Sequence, residues 1–373
     1  MKIARKRYSL YILTLLAGGL VSLLVLAIIA YISNQNLPTG PQQDQRLEPI
    51  DQARLAEALQ LQDSLGDTVW PGWGKAEIPV LLWNPQTSFL VGFENPPADW
   101  IPVAGDNFQG ATYYAQPTGD SQNFAVQIGD TWVSSMATKY EADQFMQQVF
   151  RDLLPDFVEP VFPFRLLILN SEIQISAVLH ESFHVFQAEQ APERFAFAQT
   201  AYATDADYWA VDPQMQADWE TEIEILIEAL DVSNDGDAAT LAAQFLQQRQ
   251  ARRAAANLLP ALVDYERQIE WLEGLAKYVE LTIWQAAAQQ PAYQPLPGMQ
   301  ADPDFKSYQT YDQRWKQEIS QARTQANTEG DVRFYYTGLL QARLLDRLLP
   351  DWKTRIFEPD VCLEDLLLGV VSP

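Results

Sequence analysis

The hydropathy pattern changes character three times along the chain. Residues 8 to 33 are uncharged and mostly apolar, a run long enough to cross a bilayer at ~1.5 Å per helical residue. Lys2, Arg5, Lys6 and Arg7 precede it. A cleaved signal peptide has an apolar region of only ~7–15 residues followed by a small-x-small site, and "AIIAYIS" is a poor match to such a site. The pattern therefore predicts residues 1–33 as a basic cytoplasmic stub and an uncleaved transmembrane signal anchor. The chain would pass the lipid bilayer once, through residues 8–33, with everything after them extracytoplasmic. Residues 34–50 are polar and broken by Pro and Gly, as a linker is.

The second texture covers residues 51–138. "RLAEALQLQ" has the spacing of a short amphipathic helix. "PVLLWNPQTSFLVGF" reads as two strands around an Asn-Pro turn, and "NFAVQIGDTWVSS" as a hairpin turning at Gly129-Asp130. Residues 139–373 have helical periodicity. Thr138 with Glu141 forms one capping box, and Ser171 with Gln174 a second that opens the helix carrying His180 and His184. "DWETEIEILIEAL" is a helix with an acidic face. A long helix is predicted from about Pro260 to Gln289, and another from near Asp331 to just before Pro350. The expected fold class is α+β: a single N-terminal transmembrane helix, a small β-rich region, then a mainly α-helical domain.

Composition narrows the function. The chain has 373 residues with 49 acidic against 25 basic side chains, a net charge of −24. Such a balance argues against nucleic acid as a partner. The one cysteine, Cys362, excludes an intrachain disulfide. Its leucine neighbours predict a small buried apolar residue.

Both histidines fall in "VLHESFHVFQ", residues 178–187. Four residues apart on a helix, His180 and His184 project from one face and can grip one metal ion, while Glu181 at the edge of that face can take a proton from a metal-bound water. With only two histidines, this spacing with Glu after the first arises by chance on the order of once in several thousand chains. A catalytic zinc takes three protein ligands and keeps a fourth position open. No third histidine exists, so the third ligand should be a carboxylate on another helix. Glu273 in "WLEGLAKYVE" is the choice: its helix is apolar on several sides, and Gly274 and Ala276 would let it approach the H-E-x-x-H helix closely. A carboxylate at the centre of such a helix needs a partner.

H-E-x-x-H followed by Glu273-Gly274-Leu275-Ala276-Lys277-Tyr278-Val279-Glu280 resembles the gluzincin metallopeptidases, especially the M1 aminopeptidase family. The resemblance implies a zincin-like catalytic domain, Zn2+ held by His180, His184 and Glu273, and Glu181 as general base. Tyr335-Tyr336-Thr337-Gly338 resembles the family's Y-x-K-G, which implies Tyr335 as oxyanion donor with Tyr336 as the fallback. The chain departs from the family in three ways. Thr337 replaces the lysine. The G-x-M-E-N loop that grips a free amino group is absent, which favours an endopeptidase. Glu273 lies 89 positions after His184, implying an acidic insertion at about 191–258. Glu220, Glu224 and Glu228 within it are alternative ligands.

The expected function is a membrane-anchored zinc metallopeptidase acting on a peptide or protein, with the β-rich region supplying an edge strand for an extended substrate. The alternative is a non-catalytic binding or assembly module that keeps the fold. Three further stretches predict no chemistry. "DVSNDGD", residues 231–237, resembles the start of an EF-hand loop but has Ala242 at its twelfth position, and reads as a polar turn. Arg249, Arg252 and Arg253 read as one solvated face with local acid partners. "WPGW", residues 70–73, reads as a packed turn.

Overall fold

The computed structural model describes residues 2–37, 45–209 and 215–371, with backbone alone for 2–17, 20, 209 and 216. Helix α1 (Lys2–Gln35) is followed by α2 (Pro49–Val69). Pro49 sits in the first turn of α2, where its missing N–H costs nothing. Leu55, Ala58, Leu61, Leu65 and Val69 recur every three or four residues and are buried as one stripe. Trp70 and Trp73 close that helix in a packed turn, both buried.

Six strands follow: β1 (Val80–Trp83), β2 (Thr87–Val91), β3 (Ile101–Pro102), β4 (Tyr114–Pro117), β5 (Phe124–Ile128) and β6 (Thr131–Ala137). The β1–β2 turn is held by Asn84, whose Oδ1 accepts from the amides of Gln86 and Thr87 at 2.9 and 2.8 Å. Ile128 pairs with Thr131 across the two-residue Gly129-Asp130 turn, with Gly129 at φ +61°. The sheet order is β3-β4-β2-β1-β6-β5. β1 and β6 run parallel and the other pairs antiparallel. Val80, Leu82, Phe89 and Val91 face the main core, while Leu81, Leu90 and Val133 cover the opposite face with Trp100.

The remaining helices are α3 (Lys139–Leu153), α4 (Ser171–Gln190), α5 (Pro192–Ala201), α6 (Asp205–Trp209), α7 (Met215–Asp231), α8 (Asp235–Ala255), α9 (Pro260–Ile269), α10 (Leu275–Gln289), α11 (Tyr311–Gln325), α12 (Val332–Leu348) and α13 (Leu363–Val371). A π-turn, Glu270–Gly274, joins α9 to α10. Thr138 caps α3 through the amide of Glu141, and Asn234 caps α8 through the amide of Asp237 at 2.8 Å, so "DVSNDGD" is a helix start. Helix α4 lies on the sheet. Gln174 Nε2 donates to Ala137 O at 2.7 Å, and Ser134 Oγ to Val178 O at 3.3 Å.

Four expectations are corrected. The first is the membrane anchor. Residues 8–33 belong to α1, and the side chains of residues 8–17 and 20 lie outside the described ones. Among the described residues no helix is long and apolar enough to cross a membrane. Past residue 33 α1 docks, Asn34 Nδ2 donating to the carbonyls of Pro160 and Phe162 at 3.2 and 2.8 Å. The single-pass arrangement with an extracytoplasmic catalytic domain falls with it. The linker's residues 38–44 are outside the described ones.

The second correction concerns fold class. The expected sequence of transmembrane helix, β-rich region and helical domain gives way to a mixed α/β fold. Its one sheet shares a single hydrophobic core with α2, α4, α10 and α12. The third concerns Ser171 and Gln174, which form no capping box: Asn170 is the cap and makes no side-chain bond. Ser171 Oγ instead accepts from Arg54 Nε at 3.2 Å, and Gln174 is spent on β6.

The fourth concerns the arginines. Arg249 and Arg252 are buried, each 1% exposed. Arg249 bonds Glu222, Glu270 and Glu364 at 3.0, 2.6 and 3.1 Å, and Arg252 bonds Glu222 and Glu266 at 2.5 Å each. Arg253 reaches Glu266 and Glu364 at 2.7 and 2.9 Å. The partners come from α7, α9, the π-turn and α13, so the cluster is an internal junction. Removing one member of such a buried pair costs about 3–5 kcal/mol.

Candidate metal centre

Helix α4 is buried on nearly every side, by Val178, Leu179, Phe183, Val185 and Phe186. Full burial of one such side chain contributes ~1.5–3 kcal/mol. Several together offset the cost of drawing His180 and His184 out of water with it. The two imidazoles project side by side, ring centroids 4.8 Å apart and planes at 81°.

The third member comes from the π-turn. His180 Nε2 lies 3.3 Å and His184 Nε2 3.2 Å from the same oxygen, Glu273 Oε2. All three side chains are buried, their ligand-type atoms lie within 4.8 Å of one another, and the group could hold a metal ion. His184 Nε2 is buried yet makes no hydrogen bond, despite that 3.2 Å approach. Two imidazole nitrogens converging on a carboxylate oxygen in a dry interior need a proton or a cation between them.

Each ligand is held from behind. His184 Nδ1 meets Gln187 Oε1 at 2.8 Å. His180 Nδ1 lies 3.4 Å from Glu280 Oε2, and Lys277 Nζ holds Glu280 at 2.9 Å. Tyr202 donates to Glu273 Oε1 at 2.8 Å. Burial works to lower the His180 pKa, but Glu273, Glu280 and Glu181 overcome it and raise it to about 10. Burial works to raise Glu273, but the two imidazoles hold its carboxyl well below the usual range. Glu181 has no such partner: burial pushes it up to about 7 against the pull of the two histidines. Its Oε2 is buried without a hydrogen bond.

These groups line an open cleft of about 610 Å³ together with Gln122, Asn123 and Phe124 of the sheet edge, Gln199 of α5 and Tyr202 just after it, and Asp331 and Tyr335 at the start of α12. The Phe124 ring lies against His184, centroids 4.6 Å apart. The Tyr335 ring is stacked on His180 at 6.0 Å and 15°; burial and the Glu273 charge raise its phenol well above the ordinary value.

The structure thus brings His180, Glu181, His184, Glu273 and Tyr335 into one cleft. It leaves the alternatives elsewhere. Glu220 is exposed and bonded by Asn327, Glu224 is paired with Arg323 at 2.6 Å on the surface, and Glu228 is exposed. Tyr336 is buried facing Glu318. Gly274 does permit a close helix approach, but to Gly338 of α12 and not to α4: a Cβ on Gly274 would come 2.5 Å from Gly338 Cα. Thr337, at the lysine position of the resembled motif, donates to Glu270 Oε1 at 2.6 Å.

Sequence reasoning assigned no role to Gln187, Tyr202, Glu280 or Phe124. Glu280 carried a signal, lying two helical turns beyond Glu273 and so on the same face. Gln187 carried one too, lying three positions after His184 on the same helix, whereas Tyr202 and Phe124 depend on contacts between distant segments. Comparison with family models, with curated proteins and with solved structures finds no match for this chain.

Proposed function

We infer that the chain is a zinc metallopeptidase that hydrolyses internal peptide bonds. The observation that carries this reading is the convergence of two buried imidazoles on one oxygen of Glu273, with an unpartnered Glu181 carboxylate opening into the same cleft. The donor set suits zinc. Ligands ~2.1 Å from a tetrahedral ion are about 3.4 Å apart, close to the 3.2 and 3.3 Å separations found. A catalytic site also keeps one position open, and three protein ligands at an open cleft leave it so.

His180, His184 and Glu273 would hold the ion. Bound zinc supplies Lewis-acid polarisation of a carbonyl and makes water acidic near neutral pH. The protein's own groups do the rest. Glu181 holds the proton of the attacking water on its carboxylate and delivers it to the leaving amine. Tyr335 donates its hydroxyl hydrogen bond to the oxygen on which charge develops. β5 is the outermost strand of the sheet, and Phe124 at its start lines the cleft. An extended peptide adding to that edge by main-chain hydrogen bonds would lie across the site. The cleft is open rather than a closed end-pocket, which favours cleavage within a chain.

The test is elemental analysis of the purified protein with a quenched-fluorescent peptide assay, beside Glu181→Gln. One zinc per chain, with cleavage lost in the variant and metal retained, is the expected result. Normal cleavage by Glu181→Gln would overturn the mechanism.

A further inference from the structure

The π-turn raises a question of backbone accounting. In a π-turn the amides reach back five residues instead of four, so the hydrogen-bond ladder skips and a carbonyl is left over. The turn spans Glu270–Gly274 and carries Glu273. A side chain of α4 reaches two carbonyls of this turn. Gln187 Nε2 donates to Trp271 O at 2.8 Å and to Leu272 O at 3.1 Å. Gln187 is fully buried.

This pairing fixes which way the amide points. Two carbonyls can only accept, so the NH2 group must face them, and Oε1 is forced to the other side. There it meets His184 Nδ1 at 2.8 Å. An amide oxygen cannot donate, so Nδ1 must carry the imidazole proton. In the neutral ring Nε2 is then the bare lone pair, and it is the atom left without a hydrogen bond beside Glu273.

We propose that Gln187 is a positioning residue that sets the tautomer of His184, and that the irregular turn bearing Glu273 exists in part to hold Gln187 in the required orientation. One backbone distortion thereby serves two of the three ligand side chains: it carries Glu273 and, through Gln187, presents His184 Nε2 unprotonated. The consequence for metal affinity rests on the metallopeptidase reading. The tautomer does not, because it is set by contacts within the chain.

The test uses the full chain labelled with 15N-histidine. Only two histidines exist, so each ring can be assigned by comparison with His180→Gln. Spectra are taken on metal-free protein at alkaline pH, where an ordinary imidazole is neutral. His184 is expected to carry its proton on Nδ1. Gln187→Leu, which offers no acceptor, should release that preference and move proton population to Nε2. Gln187→Glu keeps an acceptor toward His184 and should retain the Nδ1–H form, and it serves as well if the leucine variant fails to fold. In parallel, chelator competition should show zinc binding weakened about 10- to 100-fold by Gln187→Leu and largely restored in Gln187→Glu. A parent His184 with a proton on Nε2, alone or beside one on Nδ1, overturns the proposal. So does a tautomer indifferent to Gln187→Leu, or one lost in Gln187→Glu. A parent that shows the Nδ1–H form but binds no zinc would sink the metallopeptidase reading and leave the role of Gln187 standing.

Discussion

Gly274 and Gly338 touch where α12 crosses the π-turn. A Cβ on Gly338 would come 2.5 Å from Glu270 O and 2.6 Å from Gly274 Cα. Both obstacles are backbone, so neither can swing aside as a flexible side chain could. Gly338→Ala should therefore destabilise the fold by about 1–3 kcal/mol, the usual cost of overpacking. Urea unfolding checks this. An unchanged midpoint would mean that α12 can slide away freely.

Glu273 and Glu224 separate the site from the acidic surface. Glu273→Ala should weaken zinc binding by orders of magnitude in a chelator titration, since it removes a ligand from a set of three. Glu224→Ala should leave it unchanged, because Glu224 is half exposed in a surface pair with Arg323. Equal losses in the two variants would count against the His180/His184/Glu273 set.

Tyr335 and Tyr202 should differ in kind. In the proposed mechanism Tyr335→Phe removes the hydrogen-bond donor to the developing charge, and it should lower kcat by about 10²- to 10³-fold with KM little changed. Tyr202→Phe removes a hydrogen bond to Glu273 Oε1 and should act about ten-fold on zinc affinity. Steady-state kinetics at saturating zinc separates them: excess metal should rescue Tyr202→Phe and not Tyr335→Phe.

The buried arginine junction should give acid sensitivity. Burial works to raise Glu266, but Arg252 and Arg253 lower it to about 2; Glu364 is likewise lowered, by Arg249 and Arg253. An unfolded glutamate titrates near 4.3. Carboxyls depressed in the folded state contribute stability that is fully present above the unfolded value and lost as pH falls toward the folded one. Unfolding free energy should thus be flat near neutrality and fall between about pH 5 and pH 2. Glu266→Gln should be less stable at pH 7 and show a shallower acid limb. An acid limb identical to that of the parent would mean the junction does not titrate in this window.

Local signals were legible in the sequence, and distant ones were not. The hairpin at Gly129-Asp130, the Thr138 cap and the His180/His184 spacing each depend on residues within a few positions of one another, and periodicity reports such features directly. Glu273 was legible because a carboxylate amid apolar helical neighbours demands a partner. Arg249 misled because its partners Glu222, Glu270 and Glu364 lie 27, 21 and 115 positions away; three arginines within five positions look the same in sequence whether they face water or one another's acids. Tyr202 was missed for the same reason; Gln187 was missed although it lies only three positions after His184 on the same helix. The π-turn has no sequence signature: four ordinary helix-formers and a glycine that reads as a close-approach position make it. The apolar N-terminal run misled differently: composition measured its length, and the docking of Asn34 onto Pro160 and Phe162 is a tertiary fact.

The stretch between His184 and Glu273 reads, by length and charge, as an acidic insertion, yet it is built into the centre of the fold. Arg249 lies on its helix α8, and its guanidinium grips Glu270, three residues ahead of Glu273, while Tyr202 from the same stretch bonds Glu273 itself. Cutting out 191–258 would not trim a lid; it would pull the keystone from an arch and strand Glu270 as an unneutralised charge in the interior.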